Sequence, residues 1–524
     1  MTNERSGFNN MQSLKDEFCV WSEAGSTSIE NDIGEEYILP DYLPDIRKIL
    51  LVKARIYSSD IFVEDQKAEI SGEVRFNIVY LSDTGEIKCI NQNYDYNGKS
   101  SMESIYEDSI INEKSYVKSR SVRAASQRKL VIKAKVISDL NVYNKVCVSP
   151  RLTGSEGVED EFTLERKINE IDCVNFIKIK ENDIRISEDI EYSGRMPMGE
   201  IIYSDLDVFA TDCKFADGKI NIKGYAKFTC LFGLNTEGEE SQYDVIEKNI
   251  PINSSSDANL PNGEWCLNAN FIINAFECGV ANDSYGEPRV LEVDFSLSAD
   301  VLAMANERSM FTDDVYSTKY EYSNKFKTVN TESVVKCCNV NFSASGTGEL
   351  QDSDENASEV VLSSGDCEIN AMENRGDKLV FTGECNVKCL LKNNDNSFMN
   401  TEFSFPLRYE MPNETGNIGK YICNCNVSDL RVKLDGNKLN ANAEICMNII
   451  LFENISADTI ENVNIDKSRP FEKSNEKVMI LYYPEATESL WTIAKKYNIS
   501  PNEIEKANNR QLQNGLPRVL IIPV

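Results

Sequence analysis

Lys67-Ala68-Glu69-Ile70-Ser71-Gly72-Glu73-Val74-Arg75-Phe76-Asn77-Ile78-Val79-Tyr80 is the stretch on which the fold turns, because it recurs. A second version reads Lys219-Ile220-Asn221-Ile222-Lys223-Gly224-Tyr225-Ala226-Lys227-Phe228-Thr229-Cys230-Leu231. A third reads Lys378-Leu379-Val380-Phe381-Thr382-Gly383-Glu384-Cys385-Asn386-Val387-Lys388-Cys389-Leu390. Gly72, Gly224 and Gly383 hold the same place in each. Apolar residues alternate on either side of the glycine, the period of a half-buried strand. A glycine in mid-strand points to a bulge or to close approach of a neighbouring backbone.

A closing strand recurs too, as Leu130-Val131-Ile132-Lys133-Ala134-Lys135-Val136, Val290-Leu291-Glu292-Val293-Asp294-Phe295-Ser296-Leu297 and Leu439-Asn440-Ala441-Asn442-Ala443-Glu444-Ile445. The leading lysines lie 152 and 159 residues apart. Each unit is therefore a whole domain, larger than a solenoid repeat. Many short alternating strands with Gly, Asn and Asp between them predict a multi-domain, mainly β chain of three β-sandwich or barrel-like repeats. The expected layout is an N-terminal extension over 1–34, repeats over 35–145, 186–302 and 328–455, a linker over 456–477 and a small domain over 478–524. Polar joints near 146–185 and 303–330 read as connectors. Only the first repeat opens with Ile38-Leu39-Pro40-Asp41-Tyr42-Leu43-Pro44-Asp45-Ile46, where two prolines stiffen an extended entry of structural character.

With 55 Lys+Arg against 85 Asp+Glu the chain carries a formal charge of −30. Such a polyanion repels phosphate backbones and anionic headgroups, so neither nucleic acid nor a membrane surface is an expected partner. Histidine is absent, which removes imidazole base chemistry and His-ligated metals. No phosphate-cradling glycine loop, nucleophile elbow or spaced carboxylate pair stands out, so no catalytic residue and no cofactor is expected. The first 15 residues show no apolar secretory segment, and no apolar run reaches the roughly 20 residues of a membrane span. The 16 cysteines are accordingly expected to be mostly reduced, in a cytosolic setting. None has C-x-x-C spacing, so no metal site is expected either.

Residues 478–524 read as a β-α-α-β unit. Val478–Tyr483 is a strand, and Leu490, Ile493, Ala494 and Tyr497 form one apolar helical stripe. Ser500-Pro501-Asn502-Glu503 predicts a second helix opened by a capping box, and Val519–Pro523 closes the unit. Leu490-Trp491-Thr492-Ile493-Ala494-Lys495-Lys496-Tyr497-Asn498-Ile499-Ser500, followed by Ile504, Ala507-Asn508-Asn509 and Leu520-Ile521-Ile522-Pro523, resembles a LysM domain. The resemblance implies binding of N-acetylglucosamine-containing glycans by the loop after the first strand and the loop before the last. Thr487-Glu488 stands where that family usually has Gly-Asp, a departure at the glycan-binding loop.

Leu39-Pro40-Asp41-x-x-Pro44-Asp45-Ile46, the glycine-centred strand pairs and the terminal LysM-like unit together are similar to the SPOCS-domain spore-coat morphogenesis proteins of clostridia. That resemblance implies a protein-binding scaffold in the mother-cell cytosol at the forespore surface. Its implied partner is the coat-basement ATPase, stage IV sporulation protein A, held by the LysM domain; the alternative is a peptidoglycan-binding protein. Trp491 lies off the helical stripe, so its ring is expected to be only partly buried and to anchor the partner. Met479, Tyr482 and Lys495 are its expected neighbours, from strand alternation and the next helical turn.

Overall fold

The computed structural model describes residues 17–153, 163–235, 242–350, 357–395, 397–414, 416–472, 479–509 and 515–523. The first repeat comprises β1 (Phe18–Ile38), β2 (Ile46–Glu64), β3 (Lys67–Ser82), β4 (Ile87–Lys99), β5 (Ile110–Ser126) and β6 (Lys129–Val148). A short β7 (Arg151–Thr153) follows. The second repeat comprises β8 (Leu164–Glu191), β9 (Met198–Ala216), β10 (Lys219–Leu234), β11 (Tyr243–Asp257), β12 (Cys266–Asn282) and β13 (Pro288–Ser317). The third comprises β14 (Tyr320–Glu349), β15 (Ala357–Asn374), β16 (Lys378–Asn393), β17 (Phe398–Pro412), β18 (Lys420–Asp435) and β19 (Lys438–Pro470).

Each repeat folds the same way, into two antiparallel sheets of three strands, and the second sheet of the third repeat also takes β7, parallel to β19. One sheet holds the second, third and fourth strands with the recurring strand in the middle: β2-β3-β4, β9-β10-β11 and β15-β16-β17. The other brackets the closing strand between the first and fifth: β1-β6-β5, β8-β13-β12 and β14-β19-β18. The alternation explains the layering. Ile70, Val74 and Phe76 of β3 turn inward to meet Ile132, Val136 and Leu140 of β6 in one apolar core. Equivalent cores fill the second and third repeats. Each fully buried Ile, Val or Phe contributes on the order of 1.5–3 kcal/mol, which fixes the register because a one-residue slip would expose the whole set.

The mid-strand glycines meet both sequence expectations, and for one reason. In each repeat the neighbouring strand bulges opposite the glycine, between Tyr57 and Ser59, at Gly224, and between Ile369 and Ala371. The bulge pushes a carbonyl into the space a side chain would need. A Cβ at Gly224 would lie 2.1 Å from the Phe209 carbonyl oxygen, and one at Gly383 would lie 2.0 Å from that of Glu368. The opening segment 38–46 is held by Arg128, whose guanidinium donates to the carbonyl oxygens of Leu39, Pro40 and Leu43 and to the Asp45 carboxylate.

Two expectations about layout are corrected. Of the N-terminal extension, residues 18–34 belong to β1 and pair with β6, supplying Ile29 and Ile33 to the first core. The joints at 146–185 and 303–330 and the linker from 456 are largely strand as well, since β8, β13, β14 and β19 run through them. These extensions bury apolar residues between repeats. Phe18, Val148, Ile171, Cys173, Val329 and Ala457 share one cluster, and Tyr143, Phe176, Met304, Ile450 and Phe452 share another. A third cluster joins Val79, Leu231 and Leu390, three equivalent residues of the recurring strand. The repeats therefore surround a common axis. Between the first two, Lys53 and Arg55 form ion pairs with Asp205 and Asp207.

One disulfide, Cys19–Cys147, joins β1 to β6; the other fourteen cysteines are free thiols. The expectation of mostly reduced cysteines thus misses one pair, which faces itself across the ladder.

Candidate functional site

The C-terminal unit is built from β20 (Met479–Tyr482), α1 (Leu490–Tyr497), α2 (Pro501–Ala507) and β21 (Leu520–Pro523). Val478 lies outside the described residues. The strands pair antiparallel, Ile480 opposite Ile522 and Tyr482 opposite Leu520. These four side chains turn towards the helices, where Leu490, Ile493, Ala494 and Ile504 complete a small core. Alternation puts Met479, Leu481 and Tyr483 on the other face, 56%, 58% and 65% exposed, alongside Val519.

Local chemistry sets the helices. Ser489 caps α1 in a reciprocal box with Thr492, each accepting from the other's backbone N–H, and Asn498 ends it in the left-handed conformation. The capping box expected at Ser500 is not formed. Ser500 is the N-cap residue of α2 and Pro501 occupies its first turn, yet the Ser500 side chain makes no cap hydrogen bond and lies close to the Glu165 carboxylate of β8 instead. Asn508 fastens the last strand, donating to the carbonyls of Ile504 and Ile521 and accepting from the Ile521 N–H.

That approach to Glu165 is one of several contacts that seat the unit on the second repeat. Tyr316, near the end of β13, is wholly buried and enters the core of the small unit. Its ring meets Trp491 edge-on at 4.9 Å, and its hydroxyl donates to the Ile499 carbonyl at 2.7 Å. Asp314, two residues earlier, accepts from the Trp491 indole N–H at 2.9 Å and from the Lys495 ammonium at 2.7 Å. Burial and the nearby Glu165 carboxylate push the Tyr316 phenol well above its ordinary pKa, so it stays a donor.

The four expected partner-binding residues therefore separate. Trp491 is buried, 5% exposed, contrary to the expectation of a half-exposed ring; the rim of a neighbouring repeat covers it. Lys495 joins it on Asp314. Tyr482 stacks edge-on against Tyr497 and donates to Glu488. Met479 alone stays on an open surface, with Leu481, Tyr483 and Val519, which sequence reasoning missed although strand alternation from Met479 already implied the first two. The Glu488 carboxylate accepts from Tyr482 and from the Glu485 N–H, closing the loop after β20 upon itself.

Among the described residues, Glu17, Cys19 and Cys147 are the one group bringing three metal-ligating side chains together, and its two sulfurs are bonded to each other. No helix among them is long and apolar enough to cross a membrane.

Comparison with known families gives two matches. Residues 45–124, from β2 through most of β5, match the SPOCS domain of SipL. Residues 487–519 match the LysM domain. No curated protein and no solved structure gives a match. Both are non-catalytic domain families. The chain is thus a mainly β protein that carries a SipL-type SPOCS domain in its first repeat and a LysM domain at its C-terminal end.

Proposed function

We propose that this chain is a non-enzymatic scaffold of spore-coat assembly whose LysM domain binds a protein, the coat-basement ATPase (stage IV sporulation protein A). The SPOCS domain ties the chain to sporulation. In this reading it acts in the mother cell at the forespore surface. One observation carries the choice of a protein partner: the open face of the LysM sheet is apolar, with Met479, Leu481, Tyr483 and Val519 exposed together. Exposed apolar clusters of this kind mark protein contacts, and aromatic residues there are frequent anchors. Trp491 and Lys495 then serve the interface indirectly, by fixing the domain on Asp314 and Tyr316 so that this face points away from the body.

The alternative is binding of N-acetylglucosamine polymers, the usual occupation of LysM domains. Against it stands the loop that would hold the glycan, where Thr487-Glu488 replaces Gly-Asp and the Glu488 carboxylate is engaged internally.

The test is a binding assay of the full chain with the purified ATPase and, separately, with a chitin-type polymer. Leu481→Glu and Tyr483→Ala should each weaken ATPase capture by about tenfold or more while leaving the fold intact. Capture at full affinity by both variants would reject the exposed face as the interface. Polymer binding in place of ATPase binding would establish the glycan alternative.

A further inference from the structure

The third repeat differs from the other two at one place on the common axis. β15 and β18 are edge strands of its two sheets, and they meet along a seam. Gly365 of β15 lets them approach; a Cβ there would touch Leu430 and Val427 of β18 at 3.2 and 3.6 Å. Two residues along, Cys367 faces Cys425 across the seam with the sulfurs 3.0 Å apart. Cys367 lies opposite Cys385, two residues after the mid-strand glycine. By the same register its counterparts are Ile56, opposite Val74, and Val208, opposite Ala226. Cys425 lies opposite Met447 of the closing strand, and its counterparts are Ser115, opposite Ser138, and Phe271, opposite Ala299. Ile with Ser and Val with Phe therefore fill this place in the sister repeats, so packing does not demand two thiols there.

Both cysteines are half-buried and also border open space. Cys367 and Cys425, with Ile56, Ser115, Val208 and Phe271, line a cleft of about 780 Å³ at the centre of the three repeats. A small solute can reach them. The two strands belong to different sheets of one sandwich, so a bond between them would tie the sheets together.

We infer that Cys367 and Cys425 are a modification site: a dithiol that a small-molecule disulfide oxidises to an intrachain cross-link between the two sheets of the third repeat. The Cys425 thiolate attacks one sulfur of the small disulfide, forming a mixed disulfide and expelling the other half as a thiolate. The Cys367 sulfur then attacks Cys425, forming the Cys367–Cys425 bond and expelling the second half. Two protein thiols lose two electrons and two protons; one small disulfide gains the electrons and becomes two thiols. Either thiol can be the donor within the pair, and attack by Cys367 first would close the same bond.

The test exposes the folded full chain to oxidised glutathione, blocks remaining thiols with an alkylating agent and maps the digested peptides by mass spectrometry. The expected product is the peptide pair joined through Cys367 and Cys425, formed about tenfold or more faster than glutathione adducts accumulate on the remaining free thiols. Dithiothreitol should reverse it. Cys367→Ser should halt the reaction at a stable glutathione adduct on Cys425. In the unsubstituted chain, a persistent adduct on Cys425 beside a free Cys367, or joining of Cys425 to Cys446 instead, would overturn the inference without recourse to any variant.

Discussion

Tyr316→Ala is the sharpest probe of how the LysM domain is held. The residue belongs by sequence to β13 of the second repeat, yet its ring fills part of the LysM core and contacts Trp491. Removing a fully buried aromatic side chain costs roughly 3–5 kcal/mol. Within that, the hydroxyl bond to the Ile499 carbonyl accounts for about 1 kcal/mol, the part Tyr316→Phe would isolate. A domain this small has only a few kcal/mol of its own, so the loss should open it locally while the β body stays folded. Amide hydrogen exchange in the full chain reads both regions at once. In Tyr316→Ala, amides of α1 and α2 should exchange on the order of a hundredfold to several thousandfold faster. Amides of β13 from Leu291 to Val301, deep in the second core, should keep their protection. Unchanged exchange in both helices would show that the LysM domain does not depend on its seat, and the reasoning built on Trp491 and Asp314 would fall with it.

Further outcomes follow from particular contacts. Gly224→Ala should lower the stability of the second repeat by about 3 kcal/mol or more, read as a drop in Tm, because its Cβ would collide with the Phe209 carbonyl oxygen and backbone must shift. Reducing the Cys19–Cys147 disulfide, which closes a loop of 128 residues, should cost roughly 2–4 kcal/mol, measurable by denaturant titration with and without reductant. Burial alone would raise the Asp207 carboxyl, but Arg55 and Lys53 hold it well below the usual carboxylate range. Its folded pKa is depressed, so its contribution is complete above about pH 4 and is lost as pH falls further. A Tm profile against pH should slope downward there, and Asp207→Asn should flatten the slope.

The repeat architecture was legible because packing and sequence share a period. Ile70, Val74 and Phe76 alternate with polar residues around Gly72, and the structure buries that set. The LysM unit was legible for a similar reason, Leu490, Ile493 and Ala494 forming one buried helical face. Trp491 was misjudged because a helical wheel knows only its own helix. Its cover comes from Tyr316 and Asp314, 175 and 177 residues earlier in the chain. Ser500 was misjudged likewise: its hydroxyl makes no cap hydrogen bond and lies beside Glu165 of a neighbouring repeat, which the local sequence around the helix start does not contain. The joints misled through composition. Glu170, Asp172, Lys325 and Lys327 look like connector residues, yet they are the outward positions of strands whose inward positions carry Ile171, Cys173 and Val329.

The length of β8, β13, β14 and β19, between 28 and 33 residues, has a consequence for coupling. One half of each strand lies in its own sandwich, the other in clusters shared between repeats. Val293 and Leu297 of β13 face the second core, Met304 lies against Ile450 and Phe452 of the third repeat, and Tyr316 enters the LysM domain. A twisted hydrogen-bonded strand bends as a whole, so displacement at one end is resisted by packing at the other. The recurring strand shows the same division within a single sequence. Up to Phe76 it alternates, because only one face is covered; from Ile78 to Leu81 it is apolar on both faces, because the second face meets the sister repeats. Alternation giving way to a continuous apolar run is the signature of a strand that passes from a half-buried to a fully buried setting. In a chain of repeats, that change marks the surface by which the repeats hold one another, and here it falls at the equivalent positions Val79, Leu231 and Leu390.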